Sequence, residues 1–210
     1  MAKAREIKKR ITAVTKTKKI TRTMEMVSTS RLKRYQNVVM SSRPYSEALT
    51  DVLGGLISSP AARAHPLMEK RDEVRSAAIL LLSANRGLCG AFNNNLCRRT
   101  LDLYDELSDQ GLETRLLVSG KKGISHFRHR GLELLWQDTG LPDDQSVNKV
   151  RELSNFLIEG FLSRKVDQVH VVYSRFVSAG RQVMTTEQLL PLAVETDAPE
   201  REAAQVDFIF

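Results

Sequence analysis

The sequence predicts an α/β protein in which one very long basic helix precedes an open sheet with helices on both faces. Three observations carry this. Residues 1–43 contain no Gly and no Pro, and their thirteen Lys/Arg face only two acids, Glu6 and Glu25. From residue 77 onward, short apolar runs alternate with amphipathic stretches, the order expected of strands and helices in an α/β sheet. Between the two lies 59–75, with Pro60, Pro66 and mixed charge, which reads as a linker.

The helix, assigned to 1–58, would reach roughly 80 Å at 1.5 Å per residue. Charges fall every two or three residues, which excludes a membrane span. Ile7, Ile11 and Val14 form one apolar stripe at 4–3 spacing. Ile20, Met24 and Val27 repeat that spacing but are displaced around the helix. Leu32, Tyr35, Val38, Val39, Leu49, Val52, Leu53 and Leu56 follow. A zipper would keep one heptad seam, whereas this rod changes the face it can bury. Pro44 is expected to kink the helix or break it locally. Gly54-Gly55 weakens its last turns, and Ser58-Ser59-Pro60 ends it.

The chain carries a formal charge of +7, and residues 1–43 are more positive than the whole. So basic a rod raises the possibility of nucleic acid as partner. No aromatic residue precedes Tyr35, however, so a stacking platform is missing. Ile and Met also lie among the cations, which suits a protein–protein bearing better than a phosphate track. Cys89 and Cys97 are the only cysteines and fit no CxxC or secretory framework, so they read as reduced cytosolic thiols. The N-terminus lacks an apolar signal core.

The open, Rossmann-like domain is assigned to 76–195. Ala77–Ala84 is a continuous apolar run, the mark of a buried parallel strand. A helix over Phe92–Gln110 follows, closed by Gly111. Thr114–Ser119 is a strand, Lys122–Arg130 a helix closed by Gly131, and Leu132–Trp136 a third strand. Residues 140–146 are loop. Val147–Arg164 is an amphipathic helix with Val150, Leu153, Leu157 and Phe161 on one side. Val166–Ser174 reads as a strand in a central position, and Val177–Leu190 as a final hairpin turning at Ser178-Ala179-Gly180.

Chemistry has few places to sit. Gly87-Leu88-Cys89-Gly90 falls between the first strand and its helix, where a dinucleotide loop would lie. Its spacing is Gly-x-x-Gly, not Gly-x-Gly-x-x-Gly, and Glu113 is only weakly placed as a ribose acceptor. The alternative is tight packing of that strand on its helix, with the turn presenting Arg86 at the sheet's edge. Gly120-Lys121 lacks the following Ser/Thr of a phosphate loop, and Arg115 stands where its first Gly would be. His126 and His129 are three apart but have no carboxylate or Cys at ligand spacing; His65 and His170 are scattered. Cys89, near a helix start, is a candidate for a lowered thiol pKa but has no acid or His partner. No catalytic, cofactor-binding or metal-binding set is predicted.

Several blocks together resemble the γ subunit of the F-type ATP synthase. They are Ile20-Thr21 with Met24-Glu25-Met26-Val27, then Arg43-Pro44-Tyr45, then Asn85-Arg86-Gly87-Leu88-Cys89-Gly90, where Asn85 replaces the family's usual Asp. Gly120-Lys121-Lys122-Gly123 and Thr186-Glu187-Gln188-Leu189-Leu190-Pro191-Leu192 complete the series in family order. The resemblance implies that 1–58 is one strand of a coiled coil and that 196–210 begins the link to a second long helix, absent from a truncated chain. It implies a non-catalytic central rotor stalk. Such a stalk couples rotation of the c-ring to the conformational cycle of the β subunits in a hexamer of α and β. Arg5, Lys8, Lys9, Ile20, Met24, Met26 and Arg86 would then face the hexamer, and Arg43, Tyr45 and Phe208 the c-ring and ε subunit. Attachment to the cytoplasmic face of a bacterial inner membrane would run only through the c-ring. The alternatives are a basic-helix nucleic-acid-binding α/β protein and a small nucleotide-binding enzyme using the Gly87–Gly90 loop.

Overall fold

The computed structural model describes residues 2–57, 64–139 and 147–192. The chain divides into two compact units, Met1–Leu56 and Ile57–Phe210. The stop at Ser58-Ser59-Pro60, the front of the 59–75 linker, the 140–146 loop and the 196–210 link with Phe208 lie outside the described residues.

Helix α1 runs unbroken over Ala2–Ile57 with Pro44 inside it, so the expected break does not occur. Proline removes a single amide donor, here the one that would reach the Met40 carbonyl, and the flanking turns carry the helix across. Polar residues along α1 satisfy themselves on its backbone. The hydroxyls of Thr12, Thr17, Thr23, Thr29 and Thr50 each donate to the carbonyl four residues back at 2.9–3.1 Å. The apolar residues have no such outlet within the helix and stay exposed, Ile7 at 57% and Ile11 at 61%.

The second unit is built on five strands. They are β1 (Ser76–Leu82), β2 (Glu113–Ser119), β3 (Leu134–Asp138), β4 (Gln168–Ser178) and β5 (Arg181–Leu190), in the order β3-β2-β1-β4-β5. The first four are parallel to their neighbours and β5 is antiparallel to β4. Helices α2 (Phe92–Asp109) and α3 (Lys121–His129) cover one face and α4 (Val147–Leu162) the other. Side chains alternate across a strand. Ala77, Ile79 and Leu81 of β1 therefore pack with Leu96, Leu103 and Phe127, while Ala78 and Leu80 pack with Leu153, Leu157 and Phe161. Each large side chain buried this way contributes about 1.5–3 kcal/mol.

Several boundaries differ from expectation for local reasons. The third strand starts at Leu134, not Leu132, because the Leu132 N–H turns back to the Phe127 carbonyl at 3.2 Å and closes α3. Gly131 takes φ +74° in that closure. Helix α4 stops at Leu162, and Arg164 at φ 58° forms the turn beyond it. Val150 is 48% exposed and off the core face that Leu153, Leu157 and Phe161 share. Strand β4 is interior, but β1 is the middle strand. The hairpin is longer than expected, since β4 runs to Ser178 before turning at Ala179-Gly180 into β5.

A buried polar staple ties the chain before β1 to the chain before β4. Asp167 Oδ2 accepts from the Arg75 N–H, the Ser76 N–H and the Ser76 hydroxyl, all at 3.0 Å. Arg71 lies with its guanidinium carbon 4.8 Å from the Phe161 ring centroid. It pairs with Glu69 at 2.9 Å, donates to the Phe161 carbonyl at 3.0 Å and approaches Asp167 at 4.0 Å. Burial pushes the Asp167 carboxyl up, but the Arg75 and Ser76 donors and the Arg71 charge outweigh it and hold the group below its ordinary value.

Candidate functional site

The rod offers its surface by default, because its own sequence cannot cover it. Ile20 and Met24 are four residues apart and share a side of α1, whereas Met26 is turned about 200° from Met24. They are 60, 41 and 65% exposed. Lys16, Lys19 and Thr23 border a shallow hollow whose floor is Ile20 and Met24, so an apolar contact is framed by ammonium groups. Both acids of 1–43 are engaged on the helix itself, Glu6 with Arg10 at 2.7 Å and Glu25 with Arg22 at 3.0 Å. Arg5, Lys8, Lys9, Lys16, Lys18 and Lys19 stand exposed, as do Arg43 and Tyr45 further along.

At the C-terminal end of β1 the chain forms a self-capped loop. Asn85 Oδ1 accepts from the Lys121 N–H at 2.9 Å, and the Ala84 carbonyl from the Lys122 N–H at 3.1 Å. Ser83 Oγ accepts from the Gly123 N–H at 3.0 Å. The first turn of α3, a place where an anion would normally find open N–H groups, is thus occupied by the β1 loop. Asn93 Oδ1 accepts from the Ala84 N–H at 3.0 Å and steadies the same loop from α2. Asn85 performs here a capping task that a carboxylate would also perform.

The tight strand–helix packing expected at Gly87–Gly90 occurs instead at Gly120 and Gly123. A Cβ on Gly120, whose φ is +103°, would fall 2.2 Å from the Ser83 carbonyl oxygen, and one on Gly123 2.6 Å from Ser83 Oγ. Gly90 needs glycine only for its φ of +59°, because nothing lies within 4 Å of its missing Cβ. Glu113 is at the start of β2, the opposite end of the sheet from this loop, and is paired with Arg115 at 2.6 Å. It cannot play the part of a ribose-binding acid, which sits beyond the carboxyl end of a strand. Arg86 is exposed in the loop that follows the middle strand, so it stands at the sheet's end and not at a lateral edge.

The remaining chemical candidates are dispersed. His65 Nδ1 accepts from the Leu67 N–H at 3.2 Å, and His170 lies 3.2 Å from Gln168. His126 packs edge-on to Phe127 with its Nε2 buried. Burial first, then the charges of Arg130 and His129, lower its pKa. Among the described residues no three His, Cys, Asp or Glu side chains gather where a metal ion could sit. Neither Cys89 nor Cys97 is in a disulfide. Cys89 is exposed, and Cys97, on the core side of α2, is buried, which pushes its thiol up to about 11. Sequence reading missed Ser83, Asn93 and the Asp167 staple. A Ser-Ala-Asn run directly after a strand was the available signal for the first of these.

The geometry defines a long basic helix with exposed apolar side chains and a small open α/β domain whose loop end is closed by its own side chains. The protein-family model described as ATP synthase matches residues 3–210. An ATP synthase gamma chain of Leptospira biflexa is 39% identical over 195 residues, covering 93% of this chain and 68% of that one. The gamma chain of Gemmatimonas aurantiaca is 40% identical over 209 residues, covering 100% of this chain and 72% of its own length. Among solved structures, the central stalk and c-ring of the Tetrahymena thermophila mitochondrial ATP synthase matches with a TM-score of 0.58. That match is 20% identical and covers 82% of this chain and 72% of the other, a likeness of fold. The chain belongs to the ATP synthase gamma chain family, and the nucleic-acid and nucleotide-enzyme alternatives give way to that membership.

Proposed function

We propose that this chain is the central stalk of a rotary F-type ATP synthase. It would transmit c-ring rotation to the catalytic β subunits and carry out no catalysis itself. The observation that carries this reading is α1, a helix of fifty-six residues whose apolar side chains are exposed and change face along its length. A shaft turning inside a ring of differing neighbours needs such a surface; a fixed two-helix zipper would keep one seam. In this reading 1–58 is the coiled-coil shaft, 59–75 its link, and 76–195 the domain that sits toward the membrane. Arg5, Lys8, Lys9, Ile20, Met24, Met26 and Arg86 meet the α and β subunits, and Arg43, Tyr45 and Phe208 meet the c-ring and ε. No described helix is long and apolar enough to cross a membrane. In this reading attachment is peripheral, through the c-ring on the cytoplasmic face of a bacterial inner membrane.

The test is Met24→Lys in an assembled complex reconstituted into vesicles. A new cation beside an acidic β segment would hold one rotary position by about 1 kcal/mol, roughly a fivefold bias. Proton pumping is expected to fall further than ATP hydrolysis. Equal losses of the two would count against a rotor contact at Met24.

A further inference from the structure

Residues 64–75, expected from the sequence to be part of a linker, hold little regular structure, only a short 3-10 turn over Pro66–Met68. A segment that merely connected two units would be mobile. This one is fastened at four residues. The Leu67 carbonyl accepts from the Leu192 N–H at 2.8 Å, which joins the chain entering the sheet unit to the chain leaving β5. Its side chain packs on the core beneath α4. Glu69 pairs with Arg164 at 3.2 Å, just past the end of α4. Arg71 reaches Phe161 on α4 and Asp167 before β4. The Arg75 carbonyl accepts from the Glu113 N–H at 2.9 Å, where β2 begins.

Arg71 stands at the centre of these ties. Its side chain is 7% exposed, with the fork divided between Glu69 and the Phe161 carbonyl and its plane over the Phe161 ring. For burial alone a charge is a poor choice, since an apolar side chain of similar volume is often as stabilising or more so. What a guanidinium adds is direction, because a rigid planar fork holds its partners at set angles. Those partners belong to the segment itself, to α4 and to the chain before β4. The one residue therefore fixes the segment against two elements at once.

We propose that Arg71 is a positioning residue that makes 64–75 a rigid mount, holding the entering and leaving chains of the sheet unit together so that torque reaches the sheet without slack. This rests on the stalk reading, and the experiment has two arms. In the first, hydrogen exchange on the full chain compares the parent with Arg71→Met, which keeps the packing and removes the fork. Glu69 is half-exposed and Asp167 keeps its Arg75 and Ser76 donors, so thermal melting should change little. The Met68 and Leu192 amides should exchange about tenfold faster or more, and those of β1 and β2 at the parent's rate. Should that variant fail to fold, Glu69→Ala, which takes one partner from Arg71, should speed the same two amides about threefold. In the second arm the chain is assembled with α and β subunits. A bead is fixed to the sheet unit through Ser108→Cys in a Cys89→Ser background. With a non-hydrolysable ATP analogue bound, the angular variance of the bead should rise about twofold in the variant, while ATP hydrolysis is unchanged. Parent-like exchange at Met68 and Leu192 in whichever variant folds would overturn the proposal. So would faster exchange throughout β1 and β2, which would make Arg71 a general stabiliser. A bead that rotates with ATP yet fluctuates no more widely in the variant would overturn the mount alone. A parent bead that never rotates would overturn the stalk reading, and the torque role with it.

Discussion

In β1, Ala77, Ile79 and Leu81 are sealed against α2 and α3 while Ala78 and Leu80 are sealed against α4. Along α1, residues of the same chemistry, among them Ile7, Ile11, Val14, Ile20 and Met26, stand open. The difference lies in pattern more than in composition. The strand alternates faces that neighbours 10 Å away can cover, so burial is completed within the unit. The rod moves its apolar residues from one side to the other within two turns, so they do not form one continuous seam. A stable sheet domain can therefore be read from its own pattern, whereas among the described residues the rod's apolar side chains stay uncovered, and a long helix gains most of its stability from such packing.

That contrast can be sharpened first at the sheet, where single changes should be costly. Gly120→Ala would drive a Cβ into the Ser83 backbone and hold alanine at φ +103°. It should destabilise the sheet unit by about 3 kcal/mol or more. Gly90→Val has open space and meets only the left-handed backbone penalty, about 1–2 kcal/mol. Denaturant unfolding of the two variants side by side separates contact from conformation; equal losses would mean the Ser83 contact is not tight.

Next in size is the staple. Asp167→Asn replaces the charged acceptor of the Arg75 and Ser76 donors by a neutral one and leaves Arg71 paired with Glu69 alone, which should cost about 1–3 kcal/mol at neutral pH. The folded-state pKa of Asp167 is depressed. Its stabilisation is therefore complete above the unfolded carboxyl value, about pH 4, and is lost as pH falls through the lower folded value. The pH dependence of unfolding between about pH 2 and 5 should flatten in the variant. A profile superimposable on that of the parent chain would show that Asp167 is not the linked group.

The smallest effect is expected at Asn85. Asn85→Asp keeps the acceptor for the Lys121 N–H and adds a negative charge at the N-terminus of α3, which should stabilise by about 0.3–1 kcal/mol at low salt. The gain should shrink as salt is added. A loss in thermal midpoint would indicate that the loop's other carbonyls repel the carboxylate.

How much of this was legible depended on the range of each interaction. The β1 run, the closing glycines Gly111 and Gly131, and the core positions Leu153, Leu157 and Phe161 follow from local pattern and burial, and the sequence shows both. Asn85 caps a helix that begins thirty-six residues later, and Asp167 binds backbone groups ninety-one and ninety-two residues earlier. Neither pairing leaves a local mark. Of the two outcomes expected at Pro44, the break does not occur, because one missing donor is outweighed by the intact turns on either side. The rod residues Ile20, Met24 and Met26 were legible as apolar, and they stand exposed.

The claim that the sheet completes itself while the rod awaits partners is tested most directly by amide hydrogen exchange. The chain would be measured alone and then assembled with the α and β subunits of its synthase. In isolation, β1, β2 and β4 should exchange slowly and the α1 amides between Ile7 and Val39 should exchange close to the unfolded rate. On assembly, protection should rise along that stretch of α1 and change little in the sheet. Strong protection along Ile7–Val39 in the isolated chain, unchanged by assembly, would contradict the account.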